Sequence, residues 1–275
     1  MLVVRDHTGE LNGQPVFWRS SQGPDPDEIP TLFVHGVPTS SDDWLPFLER
    51  VGGIAPDLPG FGRSGKRGDG DFTMEGYDRF LEEWLELLDV ERVNLVVHDW
   101  GGVGLLWAQR FPDRVNRVVV INTVPIGQVY RWHLIARLWQ RKGVGELAMG
   151  ASTKWTIPLL MRPATTRKGG MPKEFIRQVV GHFDQGTQRA ILRLYRTSPP
   201  EKLLAAGSHL QDLRGPGLVI WGDADPYISP VHGERFADLL GDATVRHHPD
   251  AGHWAWIDEP AIIDEVCAFL RGEQV

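Results

Sequence analysis

A carboxylate occupies the point where a strand-like run of residues turns into a helix-like run. Residues 93–102 read VNLVVHDWGG, in which a valine-rich run leads to His98 and Asp99, and a tryptophan and two glycines follow. The pattern is typical of a nucleophile elbow, where a tight turn exposes one side chain above a sheet. An isolated aspartate here would more often cap the next helix, but the whole pattern favours Asp99 as a nucleophile.

The side chain of Asp99 decides which reaction this elbow could catalyse. Esterases carry serine at this position, whereas a carboxylate is ionised at neutral pH and needs no base to attack. It can displace a leaving group from an sp³ carbon and form an ester with the substrate. Water must then hydrolyse that ester, and this second step needs a general base. The sequence therefore predicts a covalent alkyl-enzyme ester on Asp99 and a base elsewhere in the chain.

A histidine near the end of the chain has the position that such a base requires. Residues 250–254 read DAGHW, which places His253 in a turn before the last helix-like segment. We expect His253 to take a proton from the water that attacks the ester. His247 and His248 are alternative bases, although both fall in a predicted strand.

A carboxylate is expected to orient the base, and two candidates follow another strand-like run. Residues 218–226 read LVIWGDADP, and the order nucleophile, acid, histidine is one that elbow-containing hydrolases use. We expect Asp225 to hold the tautomer of His253 and to stabilise its imidazolium. Asp223, which directly ends the run, is the alternative acid. The preceding strand-like run ends in Asn122 and offers no carboxylate.

Backbone N–H groups can stabilise the negative charge that develops when the ester is hydrolysed. Residues 31–39, TLFVHGVPT, form an apolar run that ends in a His-Gly turn. A backbone N–H at the end of this run and the N–H after the nucleophile can together hold an oxyanion. The expected donors are the backbone N–H groups of Val37 and Trp100.

Regular elements must position these groups, and most of the chain alternates between two kinds of segment. Short β-branched runs are separated by longer segments with apolar residues at helical spacing. The predicted strands are 16–20, 31–34, 53–55, 93–97, 115–121, 218–221 and a run near Val245, and the predicted helices are 42–51, 74–88, 102–110, 234–240 and 260–270. This alternation predicts an α/β fold with a doubly wound, mostly parallel sheet. Residues 20–30, SSQGPDPDEIP, predict a turn-rich loop between two strands.

The alternation stops in residues 124–213, which show helical spacing and no convincing strand. This segment has 14 Lys and Arg and 5 Asp and Glu, a balance of +9, and the remainder has 15 and 31, a balance of −16, which together give the net charge of −7. We expect a core formed by residues 1–123 and 214–275 and a helical cap, or lid, formed by residues 124–213. Opposite charge would help the lid to dock on the core.

Composition restricts the class of protein and its partners. The chain has 275 residues, enough for one large domain with an insertion. The net charge of −7 argues against a nucleic-acid partner, and no apolar run approaches the roughly 20 residues that span a bilayer. One cysteine excludes an internal disulfide, and the first ten residues do not resemble a secretory signal. We expect a cytoplasmic enzyme without a membrane partner, and the sequence leaves the oligomeric state open.

Taken together, the motifs resemble a known group of enzymes. They are HGVP at 35–38, DLPGFGRS at 57–64, the elbow at 93–102, GDAD at 222–225 and GHW at 252–254, and they are similar to motifs of the α/β-hydrolase fold epoxide hydrolases and haloalkane dehalogenases. The resemblance covers the whole core and, more weakly, the lid. It implies the α/β-hydrolase fold with a helical cap insertion, a covalent alkyl-aspartate intermediate, a small apolar substrate and water, and no metal or cofactor.

The two branches of the group differ in how they stabilise the leaving group. The resemblance implies that a dehalogenase would hold the halide with the tryptophan after the nucleophile, Trp100, and with a second Trp or Asn N–H. Many members have asparagine where this chain has Val37. The second donor would then come from the lid, where Trp132, Trp139 and Trp155 are available.

An epoxide hydrolase would instead protonate the ring oxygen, usually with two lid tyrosines. Residues 193–196, RLYR, resemble the lid motif that carries one of them, which would be Tyr195. The only other tyrosine of the lid is Tyr130. This motif and the Gly-His-Trp motif favour an epoxide hydrolase, which converts an epoxide and water to a vicinal diol. The alternative is a haloalkane dehalogenase, which releases halide and an alcohol.

Overall fold

The computed structural model describes residues 1–23 and 28–273. Part of the loop predicted at 20–30 therefore lies outside the described residues. Eight strands form one sheet: β1 Val4–Leu11, β2 Gln14–Ser21, β3 Thr31–Val34, β4 Gly53–Pro56, β5 Val93–Asp99, β6 Val115–Thr123, β7 Gly217–Gly222 and β8 Ala243–His248. Their order across the sheet is β1-β2-β4-β3-β5-β6-β7-β8.

The sheet is mostly parallel, as the alternation of elements predicted. The strand β2 runs antiparallel to both of its neighbours, β1 and β4, and all pairs among β3 to β8 are parallel. Successive residues of β5 alternate between two apolar cores, with Leu95 and Val97 in one and Val96 in the other. Because helices cover both faces of the sheet, both sets of side chains of such a strand are buried. Its sequence is therefore largely apolar and does not alternate between polar and apolar residues.

Twelve α-helices accompany the sheet in the described residues: α1 Leu45–Val51, α2 Met74–Leu87, α3 Gly104–Arg110, α4 Leu134–Gln140, α5 Val144–Gly150, α6 Ile157–Met161, α7 Lys173–His182, α8 Gln185–Thr197, α9 Pro200–Ala205, α10 Val231–Leu240, α11 Ala255–Asp258 and α12 Ala261–Leu270. The side chain of Thr73 accepts a hydrogen bond from the Gly76 N–H and so starts α2. Buried Tyr77, Leu81 and Trp84 recur at helical spacing along α2 and pack on the sheet.

The lid segment 124–213 contains α4 to α9 and no strand. Buried apolar side chains of the lid belong to the same clusters as those of the core, and charged contacts add to this packing. Lys202 forms an ion pair with Glu75 at 2.9 Å, and Asp184 forms one with Lys66 at 2.9 Å. The guanidinium of Arg193 donates to the backbone oxygen of Gly70 at 3.0 Å. The lid is therefore fastened to the core by individual charged contacts as well as by apolar packing.

Several elements differ from the sequence-based prediction, among them the short helix α11, which was not predicted, and α1, which begins at Leu45 and not at Asp42. The strand β1 was not predicted, because its side chains are polar and mostly exposed on an edge of the sheet. The helix predicted from residue 102 begins at Gly104, after a 3₁₀ turn over Trp100–Val103. No helix among the residues described is long and apolar enough to cross a membrane.

Candidate active site

The elbow predicted from the sequence is a strained turn at the end of β5. Asp99 has a φ of 49°, a left-handed conformation that non-glycine residues adopt rarely. Two glycines make the close packing around it possible. A Cβ atom on Gly101 would lie 2.0 Å from the backbone oxygen of Val34, and one on Gly36 would lie 2.4 Å from the Cβ of Asp99. The turn can therefore reach its position only with glycine at both places.

The structure brings Asp99, His253 and Asp225 together. The Nε2 of His253 lies 3.4 Å from Oδ2 of Asp99, and its Nδ1–H donates to Oδ2 of Asp225 at 2.7 Å. The carboxylate of Asp225 is itself fixed by the N–H groups of Tyr227 and Ile228, at 2.8 and 3.2 Å. This arrangement can present a carboxylate to a substrate and a histidine to a water molecule next to it.

The alternative acid and bases lie in a separate cluster. Asp223 contacts Nδ1 of His247 at 2.6 Å, and the other ring nitrogen of His247 contacts Glu234 at 3.0 Å. His248 contacts Glu259 at 2.9 Å. None of these side chains is among those that line the cavity above Asp99.

The charges of the site hold His253 protonated in the free protein. Burial acts to lower the pKa of His253, but the carboxylates of Asp225 and Asp99 outweigh it and raise this pKa to about 10. Burial acts to raise the pKa of Asp99, but the hydrogen bond and charge of His253 outweigh it and hold this pKa below its usual value of 3.8. The resting site is therefore an imidazolium between two carboxylates.

One predicted oxyanion donor already contacts the nucleophile. The backbone N–H of Val37 donates to Oδ1 of Asp99 at 2.7 Å. Trp100, which carries the other predicted backbone donor, opens the 3₁₀ turn directly after Asp99 and is buried. The N–H of Val37 thus lies where the oxygen of an aspartyl ester would develop negative charge.

The cavity above Asp99 has a volume of about 210 Å³ and mostly apolar walls. The lid supplies most of them, including Ile135, Leu138, Ile157 and Leu160. Polar groups are concentrated at the Asp99 end: Tyr130, His133, Tyr195, Tyr227 and His253. The shape and polarity fit a small apolar molecule whose reacting carbon faces the carboxylate.

Tyr195 lies at the site, as predicted, and keeps its proton. Burial raises its pKa well above the usual value of 10.0, and the charge of Asp99 adds to the rise. Its ring packs edge-on against Trp100, with ring centroids 5.1 Å apart. Tyr130 also lines the cavity, but its hydroxyl donates to the backbone oxygen of Tyr227 at 3.1 Å. The two lid tyrosines therefore do not form an equivalent pair of donors.

The tryptophans of the lid have three different positions. The N–H of Trp132 donates to the backbone oxygen of Ser198 at 3.2 Å, so this proton is already used. Trp155 is 80% exposed and is not part of the cavity wall. Trp139 does line the cavity. The indole N–H of Trp100 is buried and has no hydrogen-bond partner in the described residues.

Several residues of the site were not predicted as functional. His98 donates from Nε2 to the backbone oxygen of His253 at 2.9 Å, and burial lowers its pKa to about 3, so its ring stays neutral. Asn122 donates to Oδ2 of Asp225 at 2.9 Å. Tyr227 and His133 line the cavity. His98 and Asn122 could have been found from the sequence, because they lie near the ends of the strands β5 and β6. Nothing in the sequence indicated Tyr227 or His133.

No group of His, Cys, Asp or Glu in the described part of the chain has the arrangement of a metal site. Asp99 is the only carboxylate among the described residues that line the cavity.

Comparison with known proteins gives relatives from one group. Residues 30–147 match the α/β hydrolase fold family. Haloalkane dehalogenase 1 from Mycobacterium bovis is 31% identical over 236 residues, which are 79% of this chain and 75% of that protein. A haloalkane dehalogenase from Agrobacterium fabrum is 41% identical over 100 residues, but the matched part spans only 34% of this chain and 33% of that protein.

Two solved structures share the fold over nearly the whole chain. The haloalkane dehalogenase DbeA from Bradyrhizobium elkani USDA94 has a TM-score of 0.83 and 24% identity, with 98% of each chain covered. The epoxide hydrolase CorEH has a TM-score of 0.79 and 21% identity, with 98% of this chain and 99% of that chain covered. At this identity both structures show the fold alone.

Proposed function

The chain belongs to the α/β-hydrolase fold family, in the group that contains haloalkane dehalogenases and epoxide hydrolases, and from this membership we propose a hydrolase reaction through an ester on Asp99. The proposal is supported by a buried, ionised carboxylate in an apolar cavity, with a histidine and a second carboxylate behind it. No activating base is needed for the first step, because Asp99 is already an anion.

In the first step, an oxygen of Asp99 attacks the substrate carbon from the side opposite the leaving group. The new C–O bond forms as the bond to the leaving group breaks, and the leaving group takes the bonding electrons. The product is a neutral alkyl ester of Asp99. Asp99 is buried beneath mostly apolar walls, so the carboxylate has little hydration to lose before it attacks.

In the second step, His253 removes a proton from a water molecule, and the oxygen of that water attacks the carbonyl carbon of the ester. The Val37 N–H, which lies 2.7 Å from Oδ1 of Asp99, stabilises the resulting oxyanion. The intermediate then collapses, the alcohol leaves with a proton, and the carboxylate is restored. Asp225 stabilises the imidazolium that forms on His253.

We favour haloalkane dehalogenation as the reaction, on the observation that the Trp100 indole N–H is buried without a partner beside the nucleophile. A buried donor without a partner costs roughly 1–3 kcal/mol, which a bound halide would recover. Other indoles are also unpaired, but they are not next to Asp99; these are Trp44, Trp84, Trp107 and Trp221. The names of the 41% and 31% identical relatives support the same reaction.

This preference reverses the order of the two reactions that the sequence suggested. The pair of lid tyrosines that an epoxide hydrolase would use is incomplete, because the Tyr130 hydroxyl donates to a backbone oxygen. Tyr195, which stays protonated next to Asp99, is the observation that keeps epoxide hydrolysis as the second candidate. In a dehalogenase the same hydroxyl would act as the second halide donor, in place of the absent asparagine.

The experiment is a pair of single-turnover alkylation rates, for one bromoalkane and one terminal epoxide of equal length. We expect bromide release by the wild-type protein and a loss of at least tenfold in Trp100→Phe, which removes the indole donor and keeps the backbone N–H. Tyr195→Phe is the matched variant, and it should slow epoxide opening by roughly 10²–10⁴-fold. Turnover of the epoxide alone would replace the first candidate with the second. If neither substrate alkylates Asp99, the proposed function is wrong.

A further inference from the structure

One part of the lid has a surface unlike the rest of the molecule. Between Arg131 and Lys168 the chain has eight Lys and Arg residues and one acidic residue, Glu146, a balance of +7, within a protein whose net charge is −7. All eight cations are exposed. We call residues 131–168 the basic segment.

The cations of the basic segment have no ion-pair partners in the described residues. The one acidic residue, Glu146, is paired with Arg196, which lies outside the segment, at 2.8 Å. By contrast, three of the six other lid cations form ion pairs: Arg177 with Glu174, Arg196 with Glu146 and Lys202 with Glu75. The positive charge of the basic segment is therefore not neutralised by ion pairs within the described residues and is concentrated in one stretch of the lid.

The same segment exposes large apolar side chains. Trp155 is 80% exposed, Leu147 78%, Leu159 67% and Leu134 64%. The ammonium of Lys154 lies 5.1 Å from the centre of the Trp155 ring, so a cation and an exposed aromatic ring are adjacent on the surface. Exposed apolar residues are ordinary when isolated, but here they lie on three successive lid helices and the turn between two of them, and they are mixed with cations.

Some of these exposed side chains lie next to residues of the cavity wall. Leu160 lines the cavity and is also 46% exposed, so the cavity wall reaches the surface at α6. Ala148 and Ser152, which are neighbours in sequence of exposed Leu147 and Lys154, line the cavity as well. The cations and apolar side chains thus lie on the outer side of the helices whose inner side forms the cavity.

We propose that the basic segment is a docking surface for the headgroup region of an anionic lipid bilayer. Lysine and arginine are attracted to anionic lipid, and tryptophan and leucine side chains enter the boundary between headgroups and acyl chains. This differs from spanning a membrane, and it differs from the absence of a membrane partner expected from the sequence. A second copy of the chain is less suited to cover this surface. Each copy would bring eight unpaired cations, so sixteen positive charges would face one another.

Docking in this orientation would place the cavity entrance against the bilayer. This consequence rests on the proposed function, because it concerns how a small apolar substrate reaches Asp99. Apolar molecules concentrate in the hydrocarbon of a bilayer, so an entrance at its surface would receive them without passage through water. Docking itself needs no substrate and can be measured alone.

The test is flotation of the purified full chain with lipid vesicles. One set of vesicles contains only phosphatidylcholine, and the other also contains about 30 mol% of the anionic lipid phosphatidylglycerol. We expect binding to the anionic vesicles only, and loss of most binding when salt is raised from about 50 to 500 mM, because salt screens the attraction. Lys142→Glu with Lys154→Glu should lower the partition coefficient by at least 25-fold, since each lost cation accounts for about fivefold.

Two matched controls test whether binding depends on the basic segment itself or on any change in charge and exposed apolar area. Arg5→Glu with Arg92→Glu makes the same charge change at exposed positions of the core and should change binding less than threefold. Trp155→Ala should weaken binding without a change in charge, whereas Leu87→Ala, at a residue 53% exposed outside the lid, should not. The proposal is overturned if the wild type does not float, if both charge variants behave alike, or if light scattering shows that this face is covered by a second copy. Failure of the proposed reaction would leave these measurements unaffected.

Discussion

At the scale of single residues, the charge on His253 depends on the state of Asp99. Two carboxylates hold the pKa of His253 at about 10 in the free protein. Formation of the ester turns Asp99 into a neutral group, so one of these two attractions disappears and the pKa of His253 falls. The lower pKa favours the neutral form of His253, which the proposed second step requires.

This coupling predicts that a proton is released with alkylation and not with ester hydrolysis. At pH 8, below the free-protein pKa of about 10, His253 begins as an imidazolium and should lose up to one proton per site when the ester forms. Stopped-flow mixing with a pH dye in weak buffer measures this release against the bromide burst. His253→Gln should form the ester without any proton release. Release that follows the slower rate of alcohol formation would contradict the coupling.

The division of roles between the two residues gives a second prediction. His253→Gln should still form the ester, because Asp99 attacks without a base, but hydrolysis should slow by roughly 10²–10⁴-fold. Intact-protein mass spectrometry should then show a substrate adduct on the peptide that contains Asp99. Asp99→Ala is the control and should show neither adduct nor turnover. An inactive His253→Gln protein without adduct at saturating substrate would show that the roles are assigned wrongly.

The three residues of the proposed mechanism could be selected from the sequence because each lies at the end of a strand or soon after it. Asp99, Asp225 and His253 needed only local patterns and their order along the chain. Asn122 could be excluded as an acid from the sequence, but its contact with Asp225 joins residues 103 positions apart. The partner of the Tyr130 hydroxyl, a backbone oxygen 97 positions away, was equally invisible. Contacts of this kind depend on how the lid packs on the core.

At the scale of elements, the elbow requires glycine where β3 and β5 approach each other. Gly101→Ala would place a Cβ atom 2.0 Å from the backbone oxygen of Val34, which cannot move without shifting β3. We expect a loss of at least about 3 kcal/mol in the free energy of unfolding, since the clash is with backbone. Urea unfolding followed by circular dichroism measures this loss.

Gly104→Ala is the matched control, three residues along the same turn. Its Cβ would meet only side-chain atoms, the nearest being Cγ1 of Val97 at 3.2 Å, and alanine favours the helix α3 that begins there. We expect its stability to stay within about 1 kcal/mol of the wild type. Equal stability losses in the two variants would mean that the backbone approach at Gly101 is not the constraint.

Most elements could be predicted, because the core strands and α2 follow clear apolar periodicity. The strand β1 could not be predicted, since it is an edge strand held by pairing with β2 and not by burial. The 3₁₀ turn before α3 could not be predicted either, because it results from the strained conformation of Asp99. The prediction therefore failed where backbone pairing or strain, and not burial, determines the element.

At the scale of the whole molecule, a buried acid links the two loops of the site and affects global stability. Asp43 accepts a hydrogen bond from the hydroxyl of Thr39, in the oxyanion loop, at 2.6 Å, and one from the indole of Trp254, beside His253, at 3.4 Å. Burial raises its pKa from 3.8 to about 8 despite these bonds. Below that pH the folded protein keeps a proton on Asp43 that the unfolded chain has already lost.

A carboxyl whose folded pKa is raised makes stability fall as pH increases. Between pH 3.8 and about 8 the folded state binds more protons than the unfolded state at Asp43, so its contribution to the free energy of unfolding decreases throughout this window. The full difference would amount to a few kcal/mol, at about 1.4 kcal/mol for each pH unit.

We therefore expect Asp43→Asn, which keeps the shape and both acceptor contacts but has no charge, to become more stable than the wild type as pH rises. The difference in unfolding free energy should be smallest near pH 4, grow up to about pH 8 and stay constant above it. Urea unfolding of both proteins at pH 4.5, 6 and 8 (~1.5–2 units apart, enough to resolve the slope) measures it. Thr39→Val, which removes a hydroxyl that lowers the pKa of Asp43, should make the decline in stability continue to a higher pH than in the wild type. A difference between Asp43→Asn and wild type that does not change with pH would show that Asp43 is ionised throughout, and that the link between the two loops is a charged one.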